Sequence, residues 1–461
     1  MSTLTVDNPY TGDIACTVPL AGEPEVSKIL DLAKKAAHAY RDSSIADRKA
    51  LCERATAAME KNAATIASDI SKMMGKPVSQ AKGELSGMAG RARHMIAIAE
   101  DALKDDELPK KEGFERRIAH VPLGVVLDLP AWNYPLLTAV NAVIPAVLAG
   151  NAVIVKHSPR SPLCGAHFAN AFARAGAPAG LVQTLDCHHP TSEKIVADPR
   201  IDHVIFTGSI FGGHRIAQAA ANKFMHVGFE LGGNDPAYVA ADADLKHSAE
   251  NIVDGAIYNA GQSCCAVERI YVHADVYDKF IAACEPLVRA YVMGDPADDK
   301  TTLGPIAQPN HPAELDELVC DAVNRKARLI VGGKKAHVSG KGRFFEATLL
   351  ADCTQEMALF QRESFGPIVA IARVSSDQEA LQKMNASELG LTASVWTSDR
   401  DRADRMAKDL EFGTVYMNRC DALDPALPWT GCKDSGRGSS LSMLGFDALT
   451  RPKAIHFRTH F

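Results

Sequence analysis

The stretch NAGQSCCAVER, from Asn259 to Arg269, carries two adjacent cysteines, Cys264 and Cys265. Neighbouring residues suit a disulfide poorly, because the bridge needs a wider backbone separation. A thiol attacks carbon well only as thiolate, and its surroundings must favour that form. The pair sits in a polar loop, Gly-Gln-Ser-Cys-Cys, between an expected helix and the apolar strand RIYVH. Loops braced by rigid elements are where reactive groups concentrate. Residue chemistry alone leaves two readings open: a nucleophile beside a neighbour, or two small buried hydrophobes.

Three other segments hold groups that would complete a reactive site. In FELGGNDP, Glu230 ends an apolar strand. A carboxylate there can have a raised pKa and act as a general base, or simply be solvated. In LPAWNYP, Asn133 lies between Trp132 and Tyr134. A buried amide at that point would donate to an oxyanion, worth about 3–4 kcal/mol, or else satisfy a local turn. In HVIFTGSIFGGHR, a strand ends at Thr207-Gly208-Ser209 and a helix begins, with Gly212 and Gly213 close behind. Helix-start N–H groups bind phosphate and glycine admits it, although the spacing is neither GxGxxG nor a P-loop. The strand AVIVK delivers Lys156 at its C-terminal end, where open α/β sheets bind nucleotides.

The elements that must position these groups follow from hydrophobic periodicity. Helical spacing predicts three early helices, over Glu23–Tyr40, Ile45–Met74 and Pro77–Leu103. The charged link DDELPKKEG precedes the extended segment FERRIAHVPLGVVLDL. Short apolar runs then alternate with helices: AVIVK, LVQTL, HVIFTG and HVGFEL, followed by PAYVA, RIYVH, FEATLL, PIVAIARV and ASVWT. Such alternation means βαβ units and parallel sheets. The tail KAIHFRTHF alternates apolar and polar residues, as an edge strand does.

Composition narrows the class. The chain has 461 residues, enough for two or three domains, with 46% hydrophobic residues to fill their cores. A net charge of −6 argues against nucleic acid as a partner. Eleven cysteines without a CxxC, and the polar start MSTLTVDNPYTGD, point to free thiols in a cytoplasmic protein without a secretory signal. The uncharged stretch from Pro135 to Val155 has membrane-spanning length, but Asn141, Pro145, Gly150 and Asn151 interrupt it. It reads as a buried helix, a turn and a buried strand, so no membrane span is expected. Cys187-His188-His189 lacks a second spaced ligand group, and no metal is expected.

Taken together, DNPYTG, PAWNYP, GNAVIVKHSP, FTGSIFGG, FELGGNDP, GQSCCAVER, ESFGPIV and PWTGCKDSG, in this order, resemble the aldehyde dehydrogenase superfamily of the non-acylating type. Glu230 precedes Cys264 by 34 residues, as that family requires. The resemblance implies Cys264 as nucleophile, Glu230 as the base that activates water, and Asn133 with the Cys264 backbone N–H as oxyanion donors. It implies Lys156 at the adenosine ribose, Ser209 with Gly208 and Gly213 at the pyrophosphate, and Glu363 at the nicotinamide ribose. Trp132 and Phe365 fall beside the nicotinamide end. Tyr134, Leu137, Thr138 and Asn141 would line one wall of the substrate tunnel, with Ser263 and Cys265 flanking the nucleophile. Arg419, Asp421 and Trp429 would close the other side. Arg419 would suit a semialdehyde carboxylate, whereas Asp421 would pair with it or favour a cationic aminoaldehyde.

The implied fold is α/β: a Rossmann-like cofactor domain (1–105 and 123–231), an α/β catalytic domain (232–440) and a small β oligomerisation element (106–122 and 453–461). A homodimer or homotetramer is expected, since exposed strand edges seek partners. NAD is the expected cofactor, with NADP possible. The carboxylate that many NAD-preferring relatives place three residues after the strand-end lysine is here Pro159, so nothing repels a 2′-phosphate, and the next residue, Arg160, would assist one or stand as a solvated charge. Gly232-Gly233-Asn234 replaces the family's usual GGK. The expected reaction is oxidation of a small polar aldehyde or semialdehyde to its acid. The alternatives are transfer of the acyl group to CoA, a cofactor-free thiol hydrolase, and a non-enzymatic protein that keeps the fold.

Overall fold

The computed structural model describes residues 2–460. Two sheets dominate. In the first, the strands run in the order Val182–Thr184, Ala152–Val155, Val125–Leu129, His203–Thr207 and Val227–Glu230, all parallel. The edge strand Gly436–Arg437 pairs antiparallel with the last of these. The chain runs outward from the Val125–Leu129 strand in one direction and then reverses past it in the other. That reversal is the switch point at which doubly wound sheets bind ligands, outside the carboxyl ends of their strands.

The second sheet has seven strands, in the order Arg328–Val331, Thr348–Ala351, Ile368–Val374, Val267–His273, Asp235–Val239, Thr392–Trp396 and Thr414–Met417. Only the first pair is antiparallel. Each sheet carries its own apolar core. Leu30, Met59, Ile70, Met88, Ile144 and Phe168 pack with the first, and Ile252, Tyr271, Phe280, Leu315 and Trp396 with the second. A third, antiparallel sheet joins Thr450–Arg458, Phe114–Pro122 and Asp106–Glu107, and its outer strand is largely exposed.

The uncharged stretch forms the helix Pro135–Leu148, a turn, and the strand Ala152–Val155, as its interruptions predict. No helix among the described residues is long and apolar enough to cross a membrane. One local expectation is corrected, and one element was not expected. The helix expected over Ile45–Met74 is two, Ile45–Lys61 and Ala63–Met74, split at Asn62. Asparagine competes for backbone hydrogen bonds and favours helix ends over interiors. An unforeseen hairpin, Thr3–Asp7 with Ile14–Pro19, opens the chain.

That hairpin decides the fate of Arg160. Its guanidinium is buried and donates to the Asp7 carboxylate and to the Asp7 carbonyl. Arg343 donates to the other Asp7 oxygen. Burial works to raise the pKa of Asp7, but the two guanidinium groups outweigh it and hold it at about 2. Arg160 is thus a buried structural ion and not a solvated charge, and its Nη1 and Nη2 are already engaged.

Candidate active site

The groups singled out in the sequence collect at the carboxyl ends of the first sheet and the facing edge of the second. Asn133 follows the strand Val125–Leu129, Lys156 follows Ala152–Val155, Ser209 follows His203–Thr207, and Glu230 ends Val227–Glu230. Cys264 lies between the short 3-10 turn Tyr258–Gly261 and the strand Val267–His273.

A cavity of about 270 Å³ joins Asn133, Glu230 and Cys264, with Lys156 and Ser209 outside its lining. Asn133, Tyr134, Leu137, Thr138, Asn141, Glu230, Ser263, Cys264, Cys265, Asp421 and Trp429 all line it. Arg419 does not: it is exposed and outside the lining, which corrects its expected place. The cation in the wall is instead Arg91, from the helix Val78–Leu103. Thr138 lines the wall, but its hydroxyl donates back to the carbonyls of Tyr134 (3.1 Å) and Ala131 (3.3 Å). It therefore adds less polarity to the cavity than its sequence position suggests.

The two adjacent thiols occupy different environments. Cys264 is partly open, whereas Cys265 is buried. The Cys265 thiol donates to Asp421 Oδ1 at 3.0 Å, and the Ser263 hydroxyl donates to the same oxygen at 3.3 Å. The neighbouring Cys264 sulfur, burial and Asp421 together push the Cys265 thiol well above its usual range. Burial pushes Asp421 up to about 7, despite these two donors. A thiol whose proton is shared with a carboxylate is a poor source of thiolate.

Glu230 is held at both oxygens. Ser440 donates to Oε1, and Thr207 donates to Oε2 at 3.2 Å. Burial raises its pKa above the ordinary carboxylate value, against the pull of those donors and of Arg91. The Asn133 side chain is buried, and its amide makes no hydrogen bond to any described residue. Its backbone carbonyl accepts from Asn259 Nδ2 at 3.1 Å, and that same amide reaches the Gln262 carbonyl. One asparagine side chain thus ties the Asn133 loop to the Cys264 loop.

Close packing fixes the glycines after Glu230. A Cβ on Gly233 would lie 2.4 Å from the Cys264 carbonyl oxygen, and one on Gly232 would lie 2.5 Å from Glu363 Oε2. Glu363 Oε1 accepts from the Gly233 N–H at 3.0 Å. The ESFGP loop is itself held by Glu268, which accepts from the Ser364 N–H and hydroxyl and from the Phe365 N–H. Phe365 meets Trp132 edge-on, with centroids 5.7 Å apart. Asn234 is buried, its side-chain amide is unpartnered, and its carbonyl accepts from the fully buried Arg269.

A dinucleotide fits the donor set beside this cluster. The Lys156 ammonium is buried, which lowers its pKa, and it donates to no described residue. Ser209 caps the helix Ile210–Ala220 by accepting from Gly212 N–H at 3.2 Å, leaving the first helical N–H groups for an anion. A Cβ on Gly208 or Gly212 would strike the Phe206 ring at 2.7 Å, and one on Gly213 would strike Leu231 at 2.9 Å. A cation, a helix start and the Glu363 carboxylate are the groups that two riboses and a pyrophosphate would need.

The family model described as "Aldehyde dehydrogenase family" matches residues 1–455. The chain belongs to the aldehyde dehydrogenase family. It is 36% identical over 458 residues to an aldehyde dehydrogenase of Paenarthrobacter nicotinovorans, covering 99% of both chains. It is 33% identical over 448 residues to the succinate-semialdehyde dehydrogenase [NADP(+)] of Deinococcus radiodurans, covering 97% of this chain and 93% of that one. Among solved structures, an NAD-dependent aldehyde dehydrogenase from Sinorhizobium meliloti superposes with a TM-score of 0.96 at 29% identity, covering 99% of this chain and 92% of that one.

Several residues of the site escape sequence reasoning. Lys76 and Glu84 form a fully buried ion pair, and Glu84 Oε1 accepts from the Leu136 N–H at 2.8 Å, capping the start of the uncharged helix. Lys76 also lies 4.0 Å from the Tyr134 ring centroid. A signal was present: Glu84 and Arg91 are seven residues apart, hence on one helix face, among buried Leu85, Met88 and Ala92. Asn259, Ser440 and Thr207 carried no comparable signal.

Proposed function

We propose that this protein oxidises a small polar aldehyde or semialdehyde to the carboxylic acid, using NAD or NADP. The observation that carries the reading is one partly open thiol, Cys264, in a cavity with the free Asn133 amide and the anchored Glu230. Cys264 thiolate attacks the aldehyde carbon and forms a thiohemiacetal. The Asn133 amide donates to the resulting oxyanion. A bound nicotinamide dinucleotide supplies the two-electron acceptor for the oxidation. Cys264 then holds the acyl group as a thioester, and Glu230 takes a proton from the water that hydrolyses it. Ser440 and Thr207 keep the Glu230 carboxylate in place for that step.

Lys156 and Glu363 would hold the two riboses, and the helix start at Ser209, with Gly208 and Gly213, the pyrophosphate. Phe365 and Trp132 would border the nicotinamide. We assign cofactor binding to the first sheet, the nucleophile to the second, and self-association to the exposed three-stranded sheet, giving a homodimer or homotetramer. No carboxylate follows Lys156 at the position that would repel a 2′-phosphate, which supports use of either cofactor.

The test follows absorbance of reduced nicotinamide over an aldehyde panel, with and without CoA. Turnover without CoA is expected, and Cys264→Ala should abolish it while Cys265→Ala changes substrate preference. Strict dependence on CoA, or the reverse pattern for the two cysteines, overturns the reading.

A further inference from the structure

One part of the cavity lining holds donors that nothing among the described residues uses. Arg91 Nη1 donates to the Leu137 carbonyl and to Asn141 Oδ1, each at 3.2 Å. Its Nε and Nη2 have no partner among the described residues, and it forms no ion pair with them. Asn141 is 4% exposed, and with its oxygen turned to Arg91 its NH2 group is also left without a partner. A guanidinium largely removed from water and not neutralised is costly unless an anion joins it.

The carboxylates of the same cavity do not fill that role. Glu84 is engaged by Lys76 and by the N–H groups of Leu136 and Leu137. Glu230 is engaged by Ser440 and Thr207, Asp421 by Cys265 and Ser263, and Asp254 by Tyr291. Among the described residues lining the cavity, Arg91 is the one cation. Its fork and the adjacent amide present donors in the arrangement that a planar carboxylate accepts.

We propose that Arg91, steadied by Asn141, is the specificity-determining cation that receives the carboxylate of a short semialdehyde while its carbonyl lies at Cys264. This rests on the cavity being the aldehyde site, and it names the substrate class. Asp421 marks the opposite preference for a cationic aldehyde, but Oδ1 already accepts two protein donors. A different role for Arg91 would be electrostatic: its charge opposes the upward shift of Glu230. The two roles separate by experiment, because tuning of Glu230 acts on every substrate alike.

The experiment compares 4-oxobutanoate and 5-oxopentanoate with butanal, pentanal and the cationic betaine aldehyde, in the wild type, Arg91→Lys and Arg91→Met. The wild type should prefer an oxoacid. Arg91→Met should lower kcat/KM for that oxoacid by about 100-fold, chiefly through KM. Butanal should stay within about threefold, and Arg91→Lys should recover part of the loss. Succinate should slow alkylation of Cys264 by iodoacetamide in the wild type and not in Arg91→Met, a readout that needs no turnover. Equal losses for butanal and the oxoacid, or a wild-type preference for the neutral or cationic aldehydes, each overturn the proposal. If the wild type oxidises none of the five aldehydes yet succinate protects Cys264, aldehyde oxidation fails and the anion site stands. If succinate gives no protection either, both fall.

Discussion

Two parts of the cavity lining are built on opposite plans. Around Cys264 and Glu230, the carboxylate and the loops are pinned and packed, and the Asn133 amide is the donor left without a partner. Glu230 has a donor at each oxygen, Asn259 bridges two loops, and Gly233 has no room for a methyl group against the Cys264 carbonyl. In the Arg91 and Asn141 part, donors are left over and the wall comes from two helices. The contrast teaches a division of labour. Chemistry at a carbonyl carbon needs groups fixed to a fraction of an ångström, since a small misplacement costs rate steeply. Recognition of a substrate needs unspent hydrogen bonds, which a ligand completes on binding.

Removing a reacting group in the tight part should have the largest effect. Glu230→Gln should lower steady-state turnover by about 1000-fold while leaving the first burst of reduced nicotinamide intact. Pre-steady-state absorbance checks this, and a normal steady-state rate with an unchanged burst would deny Glu230 its place in thioester hydrolysis.

Crowding the tight part should come next. Gly233→Ala puts a methyl group against the Cys264 carbonyl, so the loop must move. Turnover should fall by about 100-fold with the fold intact by circular dichroism. Near-normal turnover would mean that this part is less rigid than its packing indicates.

The smallest effect is on stability and tests Asp421, which lines the same cavity. Asp421 keeps its proton up to about pH 7 in the folded protein, whereas the unfolded chain releases it near its usual 3.8. The folded state therefore holds more protons across that window, and the contribution of Asp421 to stability falls as pH rises through it. Asp421→Asn removes this term, so the Tm of the variant relative to the wild type should rise from pH 4 to pH 7. Parallel Tm curves would show that Asp421 is ordinarily ionised.

Motif and periodicity carried the fold class and most strand positions of the parallel sheets, and singled out Cys264, Glu230 and Asn133, which the structure brings to one cavity, because these depend on local order. The alternation of apolar runs with helices admits few topologies. The substrate wall was legible where it follows a motif, as at Tyr134 and Asn141, and misread where it does not. Arg419 stands near the motif-rich C-terminal loop but faces outward, whereas Arg91 arrives from a helix that carries no motif. Arg160 was misread for a similar reason: its partner Asp7 lies 153 residues away in a hairpin that periodicity did not reveal.

By itself, then, the sequence determined the αβ alternation, the family and the residues able to react, since each rests on residue type and spacing along the chain. Only the tertiary structure decided which thiol is partly exposed, why two glycines must follow Glu230, and which cation lines the cavity. Those outcomes depend on contacts between residues tens to hundreds of positions apart, whose distances are set by packing and not by sequence separation.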